Sequence, residues 1–173
     1  MVRWLAEGGS EVDRDLELDD LRAKMDKAIS RMASKEIVVR PEIIKDFCGI
    51  VQETNPVYFD LQEAKSAGFE KIPIPESYLL TLITPLSHEL FTTGIGPLLG
   101  PVIQGIIHTS SVIEFLGSLY CDTPYRLELE FAGLVRKTGK MGEYFVGTFP
   151  HKVLDAWDEL MAVDRHVFFL RTA

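Results

Sequence analysis

The sequence has few of the features that mark secreted or membrane-spanning proteins. It contains only two cysteines, Cys48 and Cys121, which lie far apart without metal-like spacing. This pattern is typical of free thiols in a reducing cytoplasm. The longest apolar stretch, residues 94–107, has only 14 residues and is broken by glycine and proline, whereas a membrane span needs about 20. The N-terminus has no apolar segment of the secretory type, so no signal peptide is expected.

Basic charge is also scarce. The 173 residues include 18 Lys and Arg against 26 Asp and Glu, so the net charge is −8. Nucleic acid and anionic membrane surfaces would repel such a chain, and neither is expected as its main partner. The length is right for one domain with a hydrophobic core.

Several catalytic motifs are absent from the sequence. The Gly94–Gly100 segment is predicted to be a plain Gly/Pro loop, because it lacks the phosphate-binding pattern G-x-G-x-x-G. No Gly-x-Ser-x-Gly elbow occurs, which argues against a serine hydrolase. The histidines lack i,i+4 or clustered spacing, so no metal site is predicted; they are His88, His108, His151 and His166. Asp164 and His166 share one face of the last predicted strand by its period of two.

Residues 1–35 are predicted to form an acidic tail followed by an amphipathic helix. The first twenty residues are acidic and aperiodic, and Asp19 or Asp20 can cap the helix that follows. Apolar residues then recur on one helical face: Leu21, Met25, Ala28, Ile29 and Met32. This helix either packs on its own domain or docks onto a partner subunit.

Residues 36–173 are predicted to form a single α+β domain. A short strand over Glu36–Arg40 precedes a helix that starts at Pro41 and that Asn55-Pro56 breaks. The apolar stripe of this helix comprises Ile43, Ile44, Phe47, Ile50 and Val51. A second short helix is predicted over Leu61–Ala67. The Tyr78–Phe91 segment is apolar nearly all round, as in a helix that a sheet encloses, and Pro85 is expected to kink it or end it early.

The period of the hydrophobic pattern changes to two after this buried helix. Four consecutive antiparallel strands are predicted, over Ile106–Phe115, Tyr125–Leu134, Glu143–Val153 and Glu159–Leu170. One strand before the helix and four after it indicate a layered α+β architecture.

The segment from Phe47 to Asp60 resembles the hydratase motif of MaoC-like proteins. That motif runs from an aromatic residue through Gly-Asp-x-Asn-Pro-hydrophobic-His to an Ala and a Gly-Phe or Gly-Tyr. Asn55-Pro56 matches outright, while Gln52, Glu53 and Tyr58 stand where Gly, Asp and His are expected. Downstream, the stretch from Ile74 to Leu79 is similar to the Ala-Pro-Pro-Thr-Phe-Leu start of the central helix in the FAS1-like, or N-terminal, dehydratase branch.

The resemblance implies a hot-dog fold, in which a five-stranded antiparallel sheet wraps around the Pro75–Leu90 helix, here with an extra N-terminal helix. It also implies a homodimer, or a heterodimer with a second MaoC-like subunit. The implied substrates are acyl thioesters of coenzyme A or an acyl carrier protein. The implied reaction is reversible addition of water across a 2,3-enoyl double bond, without a metal or redox cofactor. An anionic coenzyme A ester would need a local basic patch on this acidic chain.

Glu53 and Tyr58 are the candidate catalytic residues that the resemblance indicates. Hydration needs a base, an acid and donors that hold the thioester carbonyl. Glu53 is one methylene longer than the expected Asp, and the Tyr58 phenol, with a reference pKa of about 10, is a poor base that can still donate a hydrogen bond. Either Glu53 is the base and Tyr58 orients water, or Tyr58 lines an acyl tunnel and a partner subunit supplies Asp and His. The structural alternative for Glu53 is a solvent-facing carboxylate at a helix end.

Five further residues are candidates for substrate binding. The N–H groups of Glu76 and Ser77 would carry the positive end of the central helix and could hold the thioester carbonyl; Tyr78 follows them. Asn55 either contacts substrate or makes an Asx-type turn. His108 is either a structural strand residue or a replacement for the missing imidazole. Two rival functions remain open: a hot-dog thioesterase that uses Glu76, and a non-catalytic acyl-binding or structural subunit.

Overall fold

The computed structural model describes residues 11–99, 103–140 and 142–172. The helices in these ranges are α1 (Glu11–Ile29), α2 (Pro41–Val51), α3 (Leu61–Ser66), α4 (Leu79–Glu89) and α5 (Gly96–Leu99). The strands are β1 (Lys35–Val38), β2 (Ile103–Phe115), β3 (Pro124–Leu129), β4 (Gly133–Gly139), β5 (Gly142–Leu154) and β6 (Leu160–Thr172). Single 3-10 turns cover Pro56–Tyr58 and Glu76–Tyr78. None of the described helices is long and apolar enough to cross a membrane.

The strands form one antiparallel sheet in the order β1-β3-β5-β6-β2. β4 also pairs with β5, beside its first half, while β3 pairs with its last residues. β3 and β4 therefore share one position in the sheet, and residues 130–132 interrupt it. The sheet has six segments at five positions, which confirms the predicted five-stranded arrangement and corrects the single strand predicted over Tyr125–Leu134.

Helix α4 is the centre of the core, as predicted. Its side chains Leu82, Ile83 and Leu86 are buried against sheet residues that include Leu127 and Val153. The α+β hot-dog arrangement, a sheet wrapped around a central helix, is confirmed.

Of the two effects expected of Pro85, an early end of helix α4 is wrong, and a kink stays a prediction. The helix continues to Glu89 and passes into a π-helical turn over Leu90–Gly94. Proline removes the backbone donor that would bond the carbonyl four residues earlier, here that of Thr81. The preceding Thr84 hydroxyl donates to the Leu80 carbonyl at 2.6 Å. Pro85 is exposed, so its ring does not disturb the enclosed side of the helix.

The predicted loop over Gly94–Gly100 is partly helical. The π turn ends at Gly94, and α5 follows it directly. Gly96 permits this tight packing, because a Cβ there would lie only 1.9 Å from the Phe91 carbonyl oxygen. Residue 100 lies outside the described residues.

The N-terminal helix begins earlier than predicted. α1 starts at Glu11, so neither Asp19 nor Asp20 is its cap, and the expected tail over residues 11–20 is wrong; residues 1–10 lie outside the described residues. Leu18, which is buried with Met25 and Ile29, extends the apolar face by one turn and favours the longer helix. Arg22 Nε also donates to the Leu134 carbonyl of β4 at 2.8 Å. The helix packs on its own domain, whereas the boundary proposed at residue 35 stays a prediction.

Two surfaces of the domain expose apolar side chains. The helix predicted from the apolar stripe is present as α2, but only Ile44 and Cys48 are buried on it and Phe47 is half-buried. The other stripe residues are exposed: Ile43, Ile50 and Val51. The second surface is the edge strand β2, where the exposed residues are Ile106, Ile107, Val112 and Ile113; the exposed Leu116 follows the strand directly. Its outer edge has no strand partner among the described residues.

Candidate active site

A pocket of about 450 Å³ lies at the start of the central helix. The segment after α2, residues 52–60, here called the overhang, contributes Glu53 and Tyr58 to its wall. The first turn before α4 contributes Pro75, Glu76 and Ser77, and the end of β2 with the residues after it contributes residues 115–119. Four of the predicted site residues therefore meet in one place: Glu53, Tyr58, Glu76 and Ser77.

Glu53 is held at the start of the overhang by backbone contacts. Gln52 ends α2 in the left-handed conformation, with φ of 59°, and the Glu53 N–H donates to the Cys48 carbonyl at 2.9 Å. The Glu53 carboxylate Oε1 in turn accepts the Asn55 N–H at 2.8 Å. One carboxylate oxygen therefore stabilises the chain reversal, and the other is left for water or a ligand. The exposed side chain fits the helix-end alternative as well as a catalytic one.

Asn55 stabilises a turn, which is one of the two roles predicted for it. Its Oδ1 accepts the Val57 N–H at 3.2 Å and so caps the 3-10 turn over Pro56–Tyr58. This is an Asx-type turn, in which the side chain mimics a backbone acceptor. Asn55 does not line the pocket, and its proposed contact with substrate stays a prediction.

Tyr58 is half-buried and packs against the main hydrophobic core. Burial raises the pKa of its phenol above the ordinary value, and the neighbouring Glu53, Glu76 and Cys48 raise it further. The phenol therefore stays protonated at neutral pH, where it can donate a hydrogen bond but cannot accept a proton as a base.

The turn that leads into α4 lines the pocket. Pro75 precedes the turn over Glu76–Tyr78, which continues directly into α4. The first N–H groups of a helix have no partner within it and carry the positive end of its dipole. Glu76 and Ser77 are exposed in the pocket, whereas Tyr78 is buried with its ring edge-on to Phe47 at 5.0 Å. The structure thus places Tyr78 in the core behind the pocket.

Charge in the pocket is acidic. Glu53 and Glu76 are its charged residues, and no Lys, Arg or His of the described chain lines it. Lys71 is close in sequence to the lining residues Phe69 and Pro73 but does not itself line the pocket. Its Nζ donates to the Thr123 hydroxyl at 3.0 Å. The pocket itself therefore lacks the basic patch that an anionic ligand would need.

His108 lies apart from this pocket. It is in the first half of β2, seven residues before Phe115, which corresponds to about 20 Å along a strand. Its ring contacts His166, at 4.7 Å between centroids, and Phe168, at 5.1 Å. No group of three or more His, Cys, Asp or Glu side chains in the described ranges is arranged to hold a metal ion.

The wall formed by the end of β2 was not predicted from the sequence. Its lining residues are hydrophobic or small and carry no chemical motif. One signal is Gly117, where a Cβ would lie 2.6 Å from the Met161 side chain. Leu116 and Gly117 both donate to the Met161 carbonyl, at 2.9 and 3.2 Å, which fixes this wall against β6.

Comparison with known proteins relates this architecture to a family. Residues 29–147 match the family described as FAS1-like, dehydratase domain region. No curated protein matches the sequence significantly.

Solved structures match the chain in fold. The ChsH1-ChsH2 complex from Mycobacterium tuberculosis is 16% identical, with a TM-score of 0.72 over 91% of this chain and 98% of that chain. The C-terminally truncated HadBC (3R-hydroxyacyl-ACP dehydratase) complex from the same organism is 15% identical, with a TM-score of 0.60 over 78% and 90%. The (R)-hydratase from A. caviae involved in PHA biosynthesis is 17% identical, with a TM-score of 0.61 over 80% and 93%.

Proposed function

Since the chain belongs to the FAS1-like dehydratase family, within the MaoC-like hot-dog proteins, we propose that it is the acyl-thioester-binding subunit of a two-subunit hydratase or dehydratase. The observation that carries the proposal is the pocket at the start of α4, where a helix N-terminus meets an overhang with Glu53 and Tyr58 at the acid–base positions. The reaction is the reversible addition of water across a 2,3-enoyl thioester in the cytoplasm, and it needs no metal or redox cofactor.

The helix N-terminus supports the binding role. As water attacks C3, negative charge develops on the thioester oxygen, and preorganised N–H donors stabilise that charge. We expect the N–H groups of Glu76 and Ser77 to act in this way, and the role does not depend on their side chains. The acyl part would lie against apolar pocket residues such as Phe69 and Phe115.

The overhang supports placing the proton transfers on a partner subunit. The Tyr58 phenol stays protonated at neutral pH, so this chain has no imidazole or other base at that position. One oxygen of the Glu53 carboxylate already accepts a hydrogen bond from the Asn55 N–H. Its extra methylene also displaces the carboxylate by about 1 Å from the expected Asp position, a shift that can cost ~10²-fold in rate.

The open edge of β2 supports a partner of the same fold. Exposed strand edges in folded proteins are normally paired or covered, and β2 also exposes the apolar side chains Ile106, Ile107, Val112 and Ile113. The HadBC and ChsH1-ChsH2 structures are complexes of two different subunits. We therefore expect a second MaoC-like subunit with Asp and His in its overhang, although a second copy of this chain would fit the same edge. That partner would also supply the cations for a coenzyme A or carrier-protein phosphate.

Mutation of Glu53 within the co-purified complex tests the proposal. Glu53→Gln keeps the acceptor for Asn55 and removes the charge, so hydration of 2-enoyl-CoA should keep its kcat and KM within about twofold. If Glu53 were the general base, kcat would fall by about 10²–10⁴-fold with little change in KM. Glu63→Gln, on the exposed surface of α3, is the matched control. Tyr58→Phe removes one hydrogen bond and leaves the ring, so its effect on kcat should be small, whereas narrowing the pocket near Tyr58 should change chain-length preference.

A thioesterase is the second candidate, because Glu76 is a carboxylate exposed in the pocket at the helix start. It would activate water for attack on the thioester carbonyl. Release of free thiol from acyl-CoA, abolished by Glu76→Gln, would favour this reaction over hydration.

A further inference from the structure

A cluster of polar side chains lies on the helix-facing side of the sheet, away from the pocket. Asp164 and His151 are fully buried, and His166 is 7% exposed. Burying a carboxylate is costly unless it is paired, and apolar side chains would fill this layer without that cost. Packing alone therefore does not explain why this polar cluster is present.

The geometry of the cluster connects the core to the edge strand. His166 Nε2 is 2.7 Å from Asp164 Oδ2, and the His166 ring lies between those of His151 and His108, at 4.6 and 4.7 Å. On the core side, His151 is satisfied: its Nδ1 donates to the Phe149 carbonyl at 3.0 Å, and its Nε2 accepts the Ser87 hydroxyl at 2.9 Å.

The edge side of the cluster has unused hydrogen-bonding capacity. Asp164 Oδ1 and His166 Nδ1 are buried without a hydrogen-bond partner within the described residues. His108 is exposed, with its Nε2 3.1 Å from the Ser110 carbonyl and from the Ser111 hydroxyl. Buried polar groups are nearly always satisfied in folded proteins, so the cluster carries more polar capacity than the described residues use. The exposed His108 is the member of the cluster that a ligand can reach.

A continuous strip on β2 joins the pocket to this cluster. Phe115, Ile113 and Ser111 pair directly with Ala162, Asp164 and His166 of β6, and directly paired residues share a face. All three β6 residues are buried on the helix-facing side. The strip starts in the pocket wall with Phe115, continues with the partly exposed Ile113 and ends at Ser111 and His108. Ser111 lies about 13 Å from Phe115 along the strand.

We propose that an acyl chain bound in the pocket runs along this strip, and that His108 and Ser111 hold a hydroxyl or carbonyl group at its far end. The proposal rests on the proposed function and adds a substrate class to it: acyl thioesters with a polar group about ten bonds from the thioester. His166 and Asp164 are positioning residues behind His108. A partner subunit paired with the β2 edge would cover the strip.

The physical basis of this selectivity is the cost of leaving polar groups unpaired. A plain alkyl chain would cover His108 and Ser111 without offering a hydrogen bond, whereas a hydroxyl both donates and accepts. A site built for a hydroxyl group discriminates strongly against the analogue that lacks it. Burial lowers the pKa of His166 and lowers that of His151 to about 4. Both rings are therefore neutral at pH 7, and the cluster offers no fixed cation to an anionic tail.

Binding of two saturated acyl-CoA esters of equal length, 12-hydroxydodecanoyl-CoA and dodecanoyl-CoA, which the complex cannot hydrate, tests the inference by calorimetry on the chain and on its complex. The hydroxy ester should bind at least about tenfold more tightly. His108→Leu with Ser111→Ala should reduce the ratio of the two dissociation constants to about one, whereas His108→Gln, which keeps a hydrogen-bonding group, should retain part of it. His88→Leu, an exposed histidine at the end of α4, is the matched control.

The outcomes separate the two proposals. Binding of both esters with equal affinity, unchanged in the His108 and Ser111 variants, would overturn the polar-end inference and leave the acyl-binding function intact. Failure of both esters to bind to the chain and to the complex would overturn the proposed function, and with it this inference. Since His108 and Ser111 lie on an exposed strand, their variants are expected to fold, which unchanged thermal unfolding would verify.

Discussion

At the scale of single residues, two groups of side chains carry the proposed function: those that line the pocket at the start of α4, and the polar cluster beside β2. Glu53, Tyr58, Glu76 and Ser77 could be identified because they lie in two short segments with a recognisable motif, and the fold brings those segments together. His108, His151 and His166 are up to 58 residues apart and meet only because β2, β5 and β6 are neighbours in register. Nothing in their spacing signals contact, although the shared face of Asp164 and His166 was predictable and is confirmed by their hydrogen bond.

The buried histidines predict a loss of stability in acid. Burial and His166 lower the pKa of His151 from 6.5 to about 4. As the pH falls, His151 is therefore protonated near pH 6.5 in the unfolded chain but only near pH 4 in the folded chain. The contribution of this group is therefore fully present above pH 6.5 and is lost as the pH falls towards 4; its size is on the order of 3 kcal/mol. His166, whose pKa is also lowered, acts in the same direction.

Urea unfolding of the wild type and His151→Gln between pH 7 and pH 4 measures this contribution. Glutamine can still accept the Ser87 hydroxyl but does not titrate, so the variant should lose less free energy of unfolding over this range. Parallel pH profiles for the two proteins would contradict the assignment.

At the scale of elements, hydrophobic periodicity predicted which segments are helices and strands, and tertiary packing decided where they end. α1 is longer than expected because Leu18 joins the same buried cluster as Met25. α4 passes through Pro85, whose missing donor falls on the exposed side of the helix. The strand over Tyr125–Leu134 is interrupted at residues 130–132, where its partner β5 continues unbroken. None of these endings could be predicted from local sequence preferences alone.

The burial of α4 against the sheet predicts that its side chains contribute strongly to the free energy of unfolding. Leu82→Ala and Ile83→Ala each remove a fully packed side chain and should lower the free energy of unfolding by roughly 2–5 kcal/mol. Leu80→Ala, on the same helix but 43% exposed, is the control and should cost much less. A loss under about 0.5 kcal/mol at both buried positions would mean that α4 is not the core of the fold.

At the scale of the whole molecule, the open edge of β2 is the feature that predicts assembly. A second hot-dog subunit would extend the sheet beside β2 and cover its apolar side chains. Ile107→Lys or Val112→Lys, at positions 57% and 58% exposed, should disrupt this association without unfolding the chain, because neither side chain is part of its own core. Light scattering at micromolar concentration, with the exposed Glu63→Gln as control, measures the change. A wild-type chain that stays monomeric with and without its partner would contradict the prediction.

The central claim is that this chain binds the acyl thioester while its partner performs the acid–base chemistry. The most direct measurement is hydration of 2-enoyl-CoA by the purified chain alone and by the same chain co-expressed with a MaoC-like partner that carries the intact Gly-Asp-x-Asn-Pro-x-His motif. The chain alone should be inactive or weak, and the complex should turn over and lose activity when the partner's Asp or His is replaced. Robust turnover by the chain alone, abolished by Glu53→Gln, would contradict the claim and make Glu53 the catalytic base.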